Sequence, residues 1–534
     1  MKKKIYKLTT TLCVLFVLSS CNDFLERSAQ DLIIPSTVAQ YKELLQGEGY
    51  FKDFNNKTYF LNYMTDDMEY IVDYQVEGLY TNSDVEIYNY IYCWMKEIEN
   101  DSFTDGLYAW LYSQVLVANT CLDGLDKAKG TEDEKNVLKG QSLFQRAYAY
   151  FILVNTYGYP YNSASVENEC MPLRLDPTPS SSVYKRESSR VIWEQIEKDI
   201  QQAAELLYTY VPKNNFEING RAALLLASRV ALYMEKYTEA EQYADRLLTL
   251  NNKLYDISDK GVVEPSSTRT ADYIGFIDNN TNPEILWNFC ATSSRNFSDQ
   301  FYNLTLREVQ GFRVSTSEPE KNEHSLMDTY LPDTNKTIDK FADKRRAYFF
   351  NISAYFANDY EEHQNYEMFS ALLMFGYLEL WPGYLYNNQP LKWDKNDSKN
   401  TLMQAFRTAE AYLNIAEAYA RQANPDTDKA LYYLNKLREN RIANYRNLTM
   451  ADFSSTEELV QFIWDERRRE LCFEECHRWW DLRRTTQPEL KHKWTNGETY
   501  TLKQGDEAYI LSIPQLERNF DTGIINKRPV RIAD

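Results

Sequence analysis

Two widely separated stretches of the chain carry the same arrangement of small and large side chains, and that arrangement suits helices packed in pairs. Ala222-Ala223-Leu224-Leu225-Leu226-Ala227 runs on to Ala231-Leu232-Tyr233, and Tyr237-Thr238-Glu239-Ala240 follows a short turn. Ala409-Glu410-Ala411-Tyr412-Leu413 runs on to Ala416-Glu417-Ala418-Tyr419, and then comes Lys429-Ala430-Leu431-Tyr432. Small residues let two helix axes approach where they cross, while an aromatic one turn away fills the space beside the crossing. The expected fold class is therefore mainly α.

Helical periodicity and stop signals extend this reading. Helices are expected over Leu107 to Lys129, Asp133 to Tyr157, 188–209, 218–235, 237–250, 405–421, 426–441 and about 456 to 477. Gly158 with Pro160 just beyond is a good stop for the second of them. The hairpins follow the packing logic of tetratricopeptide repeats, although they are degenerate and not contiguous. A long insertion over 255–400, rich in Asn, Asp, Ser, Thr and aromatics, separates the two helical blocks at about 101–250 and 405–477. It carries only short strand-like runs such as Glu284-Ile285-Leu286-Trp287-Asn288-Phe289. A second irregular region covers about 50–100. Long irregular stretches in a regular domain tend to be functional surfaces. The helices resume after the insertion, so 21–534 reads as a single domain.

The first twenty residues address the compartment. Lys2, Lys3, Lys4 and Lys7 precede a short apolar run from Leu8 to Leu18, the layout of a secretory signal, too short to span a bilayer. Leu18-Ser19-Ser20-Cys21 resembles the lipobox of a bacterial lipoprotein, which implies removal of 1–20 and lipid on Cys21. Removal takes away four lysines and no acid, so a net charge of −19 becomes −23. Nucleic acid is a poor partner for such a body, and lipid is the only membrane contact expected. Cys93, Cys121, Cys170, Cys290, Cys472 and Cys476 are too few to frame a chain of this size with disulfides. The 42 tyrosines are the compositional outlier. Tyrosine joins an apolar face to a polar tip, which suits both helix packing and binding surfaces.

Several blocks in order then resemble the SusD/RagB family of outer-membrane lipoproteins. They are Cys21-Asn22-Asp23-Phe24-Leu25-Glu26, Trp110-Leu111-Tyr112 with Val117-Ala118-Asn119, and Gly140-Gln141 with Arg146-Ala147-Tyr148-Ala149-Tyr150-Phe151. Further on come Asp343-Lys344-Arg345, Arg407 with Ala409 to Ala418, and Tyr509-Ile510-Leu511-Ser512-Ile513-Pro514. The strongest block is Glu466-Arg467-Arg468-Arg469-Glu470-Leu471, continuing to Glu474 and His477-Arg478-Trp479-Trp480-Asp481-Leu482-Arg483-Arg484. The resemblance implies a SusD-like fold on the outer face of the outer membrane, closing over a SusC-like TonB-dependent transporter. It implies capture of oligosaccharide, or peptide in some members, with no catalytic site.

The residues themselves allow competing chemistry. The 466–484 block combines acids, arginines and a histidine, but Glu466 and Glu470 at helical spacing pair readily with neighbouring arginines. Cys472, Cys476 and His477 offer three metal ligands at most, with no partner cluster elsewhere. Cysteines on successive helical turns suit a disulfide badly. Glycoside hydrolysis needs two placed carboxylates, and nothing marks a pair among 78 acids. No nucleophile elbow, phosphate loop or dinucleotide fingerprint is present, so neither catalysis, metal nor cofactor is expected.

Sugar rings stack apolar C–H faces on flat aromatics while their hydroxyls seek short polar groups. Three clusters fit that chemistry. Tyr80, Tyr88, Tyr92 and Trp94 accompany Asp66 and Asp67, and Tyr88, Tyr90 and Tyr92 share one face if the segment is extended. Asn296, Phe301 and Tyr302 follow the strand-like 284–289, and Trp381 and Tyr384 flank Pro382-Gly383. The alternatives are core packing for any single aromatic, peptide as cargo, or a repeat scaffold with protein partners only.

Overall fold

The computed structural model describes residues 35–71, 83–101, 103–180, 183–258, 282–289, 311–315, 325–338, 342–345, 349–351, 389–390 and 404–534. Helices α1 (Val38–Leu44) and α2 (Phe54–Thr58) lead into strand β1 (Met68–Ile71) and helix α3 (Ser83–Tyr92). Helices α4 (Leu107–Gly124) and α5 (Glu132–Tyr157) are followed by the strand pair β2 (Glu169–Pro172) and β3 (Arg186–Ser188). Next come α6 (Ser189–Leu207), α7 (Gly220–Tyr233) and α8 (Tyr237–Leu250). Short elements follow: β4 (Ile285–Asn288), β5 (Gly311–Val314), α9 (Pro332–Asn335), β6 (Phe350–Asn351), β7 (Gln389–Pro390) and β8 (Ala405–Arg407). The helices resume as α10 (Thr408–Arg421), α11 (Thr427–Arg438), α12 (Thr456–Leu471) and α13 (His477–Arg484). The hairpin β9 (Leu490–Lys493) and β10 (Thr499–Leu502) and the short α14 (Gln515–Phe520) close the chain.

The helix starts are written in side chains that satisfy otherwise orphaned backbone N–H groups. Thr131 and Glu134 form a reciprocal capping box at α5, Asn219 accepts from Arg221 N and Ala222 N at α7, and Ser455 caps α12. From Gly140 to Tyr157 every residue of α5 is buried, so this part of the helix is enclosed on all sides. Gln141 Nε2 on it donates to Ile218 O at 2.9 Å, and Arg146 pairs with Asp199 at 2.7 Å.

The two hairpins matched in sequence lie side by side. Helix α10 packs on α8 and α7, while α4, α5, α6 and α7 stack in chain order ahead of them. Small residues mark the crossing as expected. Ser228 Oγ donates to Ala240 O at 2.8 Å, and Asn414 Nδ2 donates to Ser228 Oγ at 3.3 Å. Tyr419 OH reaches Glu241 at 2.7 Å across the same contact. The chain is thus mainly α with interrupted, tetratricopeptide-like hairpins.

Two local expectations are corrected. Residues 405–407 are a strand, because Ala405 and Arg407 pair antiparallel with Asn288 and Ile285. The helix expected to about 477 stops at Leu471 and restarts at His477. Phe473 and Glu475 hold φ of 56° and 48° between them, a left-handed conformation that no helix continues through. Of the two readings left open for the tyrosines of 88–92, the helical one holds, since residues 83–92 form a helix.

Candidate functional site: buried charge lattice and loop roots

The 466–484 block is the centre of a buried lattice of arginines and carboxylates. Glu466 meets Arg345 at 2.7 Å and Arg469 at 2.8 Å, and it also accepts from Arg438. Glu470 contacts Arg407 and Arg441, each at 3.0 Å. Both of those arginines also hold Glu284 at 2.6 Å, just ahead of β4. Arg229 on α7 bridges Glu410 on α10 to Glu475 in the break between α12 and α13. Arg484 joins Glu417 to Asp481, each at 2.7 Å. Burial alone pushes Glu466 upward, but Arg345, Arg438 and Arg469 outweigh it and hold it well below the usual carboxylate range. Glu475 and Asp481 are lowered against burial in the same way, Glu475 by Arg229 and Asp481 by Arg467 and Arg484.

These groups stitch distant segments together and present no open reactive atom. Glu410, Glu475 and His477 bring ligand-type atoms within 4.8 Å of one another. Arg229 already engages both carboxylates, and Arg467 lies 3.2 Å from Glu410 and 3.3 Å from His477 Nδ1, so cationic charge is supplied there by protein. The cysteines do not join them. Cys472 Sγ donates to Arg469 O, and Cys476 Sγ points to Thr58 O. Cys93, Cys121, Cys170, Cys472 and Cys476 are buried thiols.

The first sequence cluster falls inside the body. Asp66 accepts two bonds from Arg478 at 2.7 Å, and Asp67 accepts from Arg468 at 2.6 Å. Burial raises Asp67 despite Arg468, and Asp66 beside it adds to the rise. On α3 the helical turn sets Tyr88 and Tyr92 on the buried face and leaves Tyr90 42% exposed. Tyr88 stacks on Tyr63 at 4.8 Å, and its hydroxyl meets that of Tyr59 at 2.8 Å. Tyr92 and Trp94 clasp His492 between them, each ring centroid 4.0 Å away. Trp94 Nε1 donates to Met64 O at 3.0 Å. Asp66, Asp67, Tyr88, Tyr92 and Trp94 are buried here and engaged in packing and ion pairing.

His492 was not legible as part of this cluster, because it comes from β9 at the far end of the chain. Its ring nitrogens lie 2.8 Å from Tyr92 O and 3.1 Å from Thr65 O. Burial lowers it to about 4, against the pull of the two carbonyls toward the charged ring.

The remaining candidates, Tyr80, Asn296, Phe301, Tyr302, Trp381 and Tyr384, lie outside the described residues, as does Cys21. The roots of their segments are described. Ile71 sits opposite Gly311 in the β1–β5 pair, and Asn351 sits opposite Gln389 in the β6–β7 pair. Strand β5 also lies against β7. Ile71, after which the segment bearing Tyr80 begins, thus lies beside Gly311, before which the segment bearing Asn296, Phe301 and Tyr302 ends, and Asn351 and Gln389 close the base of the segment bearing Trp381 and Tyr384. Segments holding all three aromatic groups are rooted in one neighbourhood.

Two family profiles match in succession. One described as starch-binding associating with outer membrane covers residues 23–232, and one described as the SusD family covers 265–522. No curated protein matches the chain in sequence. Among solved structures, a SusD-like carbohydrate binding protein from Bacteroides vulgatus superposes with a TM-score of 0.61 at 20% identity, over 92% of this chain and 98% of that one. A SusD superfamily protein from the same species gives 0.62 at 18% identity, over 92% and 100%. One from Bacteroides thetaiotaomicron gives 0.59 at 17%, again over 92% and 100%. At such identities the superpositions speak for the fold, while the profiles and the ordered sequence blocks speak for descent. The chain belongs to the SusD/RagB family.

Proposed function

We propose that this is a lipid-anchored outer-membrane protein that captures oligosaccharide or polysaccharide and hands it to a SusC-like TonB-dependent transporter, with no chemistry of its own. The anchor is lipid on Cys21, and the body after residue 20 works as one unit facing the cell exterior. The observation that carries the reading is the common root of the aromatic-bearing segments. Tyr80 follows Ile71, Phe301 and Tyr302 precede Gly311, and Trp381 and Tyr384 precede Gln389, with those roots paired or adjoining. Flat rings and short polar groups carried on segments that leave from one neighbourhood suit a glycan, whose faces stack and whose hydroxyls need partners.

The buried chemistry favours binding over hydrolysis. A glycosidase needs a carboxyl of raised pKa facing substrate. Among the described acids, Asp67 and Asp105 are raised, and both are spent inside the body, on Arg468 and on Tyr157. The family description that names starch supports the cargo class without naming the glycan.

The test is affinity electrophoresis of the soluble form, residues 22–534, in gels containing plant, host or microbial polysaccharides, with protein digests as the contrast. Retardation by one polysaccharide class is the expected outcome. Retention of peptides instead would replace the glycan with peptide cargo. Product formed on long incubation would restore a hydrolase.

A further inference from the structure

We infer that Arg528 and Arg531 form a buried site for a single chloride ion, which fastens the segment from Asn526 to Arg531 onto the body. Arg528 is only 3% exposed, and its Nε, Nη1 and Nη2 all lack an acceptor among the described residues. The Nε of Arg531 is buried without one as well. Four donor nitrogens on two neighbouring cations are thus shut away from solvent with no protein oxygen to receive them. Buried donors are normally satisfied, so a set like this points to a group the chain does not itself supply.

The acids closest to Arg528 are already spent. Glu97 accepts from Arg518 Nη1 at 3.1 Å and from Asn526 Nδ2 at 3.0 Å. Asp506 accepts from Arg531 Nη2 at 2.9 Å and from Ala508 N at 2.8 Å. Arg518, Arg528 and Arg531 therefore face Glu97 and Asp506, with one positive charge left over. Arg483 shows what a buried arginine without a carboxylate otherwise does. Its Nε donates to Tyr509 O at 2.7 Å, and its other nitrogens meet Asn155 O and Gly158 O. Arg528 has neither carboxylate nor carbonyl. The backbone around it is held in place, since Arg528 N donates to Asn526 Oδ1 at 3.0 Å and Asn526 Nδ2 to Lys96 O at 2.8 Å. Arg531 Nη1 donates to Thr501 O beyond β10. The two guanidiniums are thus presented by fixed backbone rather than by a frayed end.

Charge and depth select the occupant. Burial and the neighbouring Arg531 lower Arg528 to about 10, against the pull of Asp506 and Glu97, which leaves it a cation at neutral pH. A buried cation without a counter-charge is strongly unfavourable, and arginine does not escape by giving up its proton. A water molecule would accept some of these bonds but leave the charge standing. A monovalent anion accepts several and cancels the one charge in excess. At this depth a partner's side chain or a carboxylated sugar has no approach to Arg528, whereas a spherical ion needs little room and takes donors from any direction. The chain as a whole carries −19, but charges beyond about 10 Å are largely screened, and the local excess decides.

The experiment dialyses the soluble form into sodium gluconate, whose anion is too bulky for the site, and follows thermal melts as sodium chloride replaces it at constant ionic strength. Tm should rise by about 2–4 °C and then saturate, as expected when an ion binds the folded chain alone. Arg528→Met should abolish the rise and, in gluconate, melt no lower than the parent, because an apolar side chain in place of an unpaired buried cation is neutral or stabilising. Crystals of the unaltered chain grown in sodium bromide should show an anomalous peak beside Arg528 and Arg531. That peak and the saturable rise decide the matter even if Arg528→Met does not fold. A Tm indifferent to the anion, a rise that never saturates, or bromide only at exposed cations would overturn the site. So would an Arg528→Met variant that melts below the parent by the same margin in gluconate and in chloride, which would mark an ordinary packing role. A response to bicarbonate but not to chloride would overturn the halide and put a planar oxyanion in its place.

Discussion

Arg229 and Glu475 are joined by two parallel hydrogen bonds, Nη1 to Oε2 at 2.7 Å and Nη2 to Oε1 at 2.8 Å, across 246 residues of chain. The same guanidinium holds Glu410 at 2.6 Å, so one side chain fastens α7, α10 and the break before α13. Among the described residues, Arg229→Ala leaves buried Glu410 with Arg467 alone and buried Glu475 with only Tyr148 and His477. Removing one partner of a buried pair costs about 3–5 kcal/mol, a large fraction of the stability of an ordinary domain. Urea unfolding of the soluble form should show that loss. Lys429→Ala, at an exposed pair, should shift stability by about 0.5 kcal/mol or less.

Asp105 gives the opposite kind of charge effect. Burial raises it from 3.8 to about 6, although Tyr157 OH and Leu107 N both donate to it. The folded chain therefore holds this proton more tightly than the unfolded chain. Its contribution is fully present below about pH 4 and is lost as pH rises to about 6, by roughly 3 kcal/mol at one pKa unit per 1.4 kcal/mol. Asp105→Asn should remove that decline, so the variant gains on the parent between pH 4 and 6 and keeps a constant lead above. A parallel pair of stability curves would contradict the assignment.

His492 moves the other way over the same range. Its folded value is lowered to about 4, so the unfolded chain takes up the proton first as pH falls. Stability from this residue is present above about 6.5 and is lost as pH falls toward 4. Proton NMR of the imidazole signals, assigned through His492→Gln, should show one histidine titrating far below the ordinary range.

Gly220 tests the closeness of α6 and α7. A Cβ there would sit 2.3 Å from Leu207 O, a backbone atom that cannot swing aside, whereas one at Gly47 would meet nothing within 4 Å. Gly220→Ala should cost about 1–3 kcal/mol as an overpacked contact, and Gly47→Ala should be close to neutral or mildly stabilising. Thermal melts of both variants read the difference.

The binding assignment separates two sets of aromatics. Trp381→Ala and Tyr384→Ala should weaken retardation by the active polysaccharide while leaving Tm unchanged. Trp94→Ala should lower Tm instead, since that ring is fully buried against His492. Truncating a buried tryptophan typically costs about 3–5 kcal/mol.

How far the sequence could be read depended on whether a signal was local. The hairpins at 222–240 and 409–432 were legible because small residues and capping groups act within a few turns of chain. Ala405 to Arg407 was misread as helix because its partner strand lies more than a hundred residues upstream, at Ile285–Asn288. Tyr88 and Tyr92 fit an alternating pattern as well as a helical one, and only the packing of α3 decided between them. Asp66 and Asp67 looked like sugar partners because Arg468 and Arg478, which occupy them, are about four hundred residues away in sequence. Composition marked the aromatic clusters but carried no information on which rings the core would claim.

The pairing of Asn351 with Gln389 closes the base of one segment and has an evolutionary consequence. A segment whose two ends already meet can grow, shrink or change wholesale at a cost that rises only with the logarithm of its length. The skeleton of helices and arginines is indifferent to what hangs from such closed bases. Structures at 17–20% identity share this fold. Under the glycan reading proposed above, a change of cargo would call for new side chains beyond this closed base and leave the helical frame as it is.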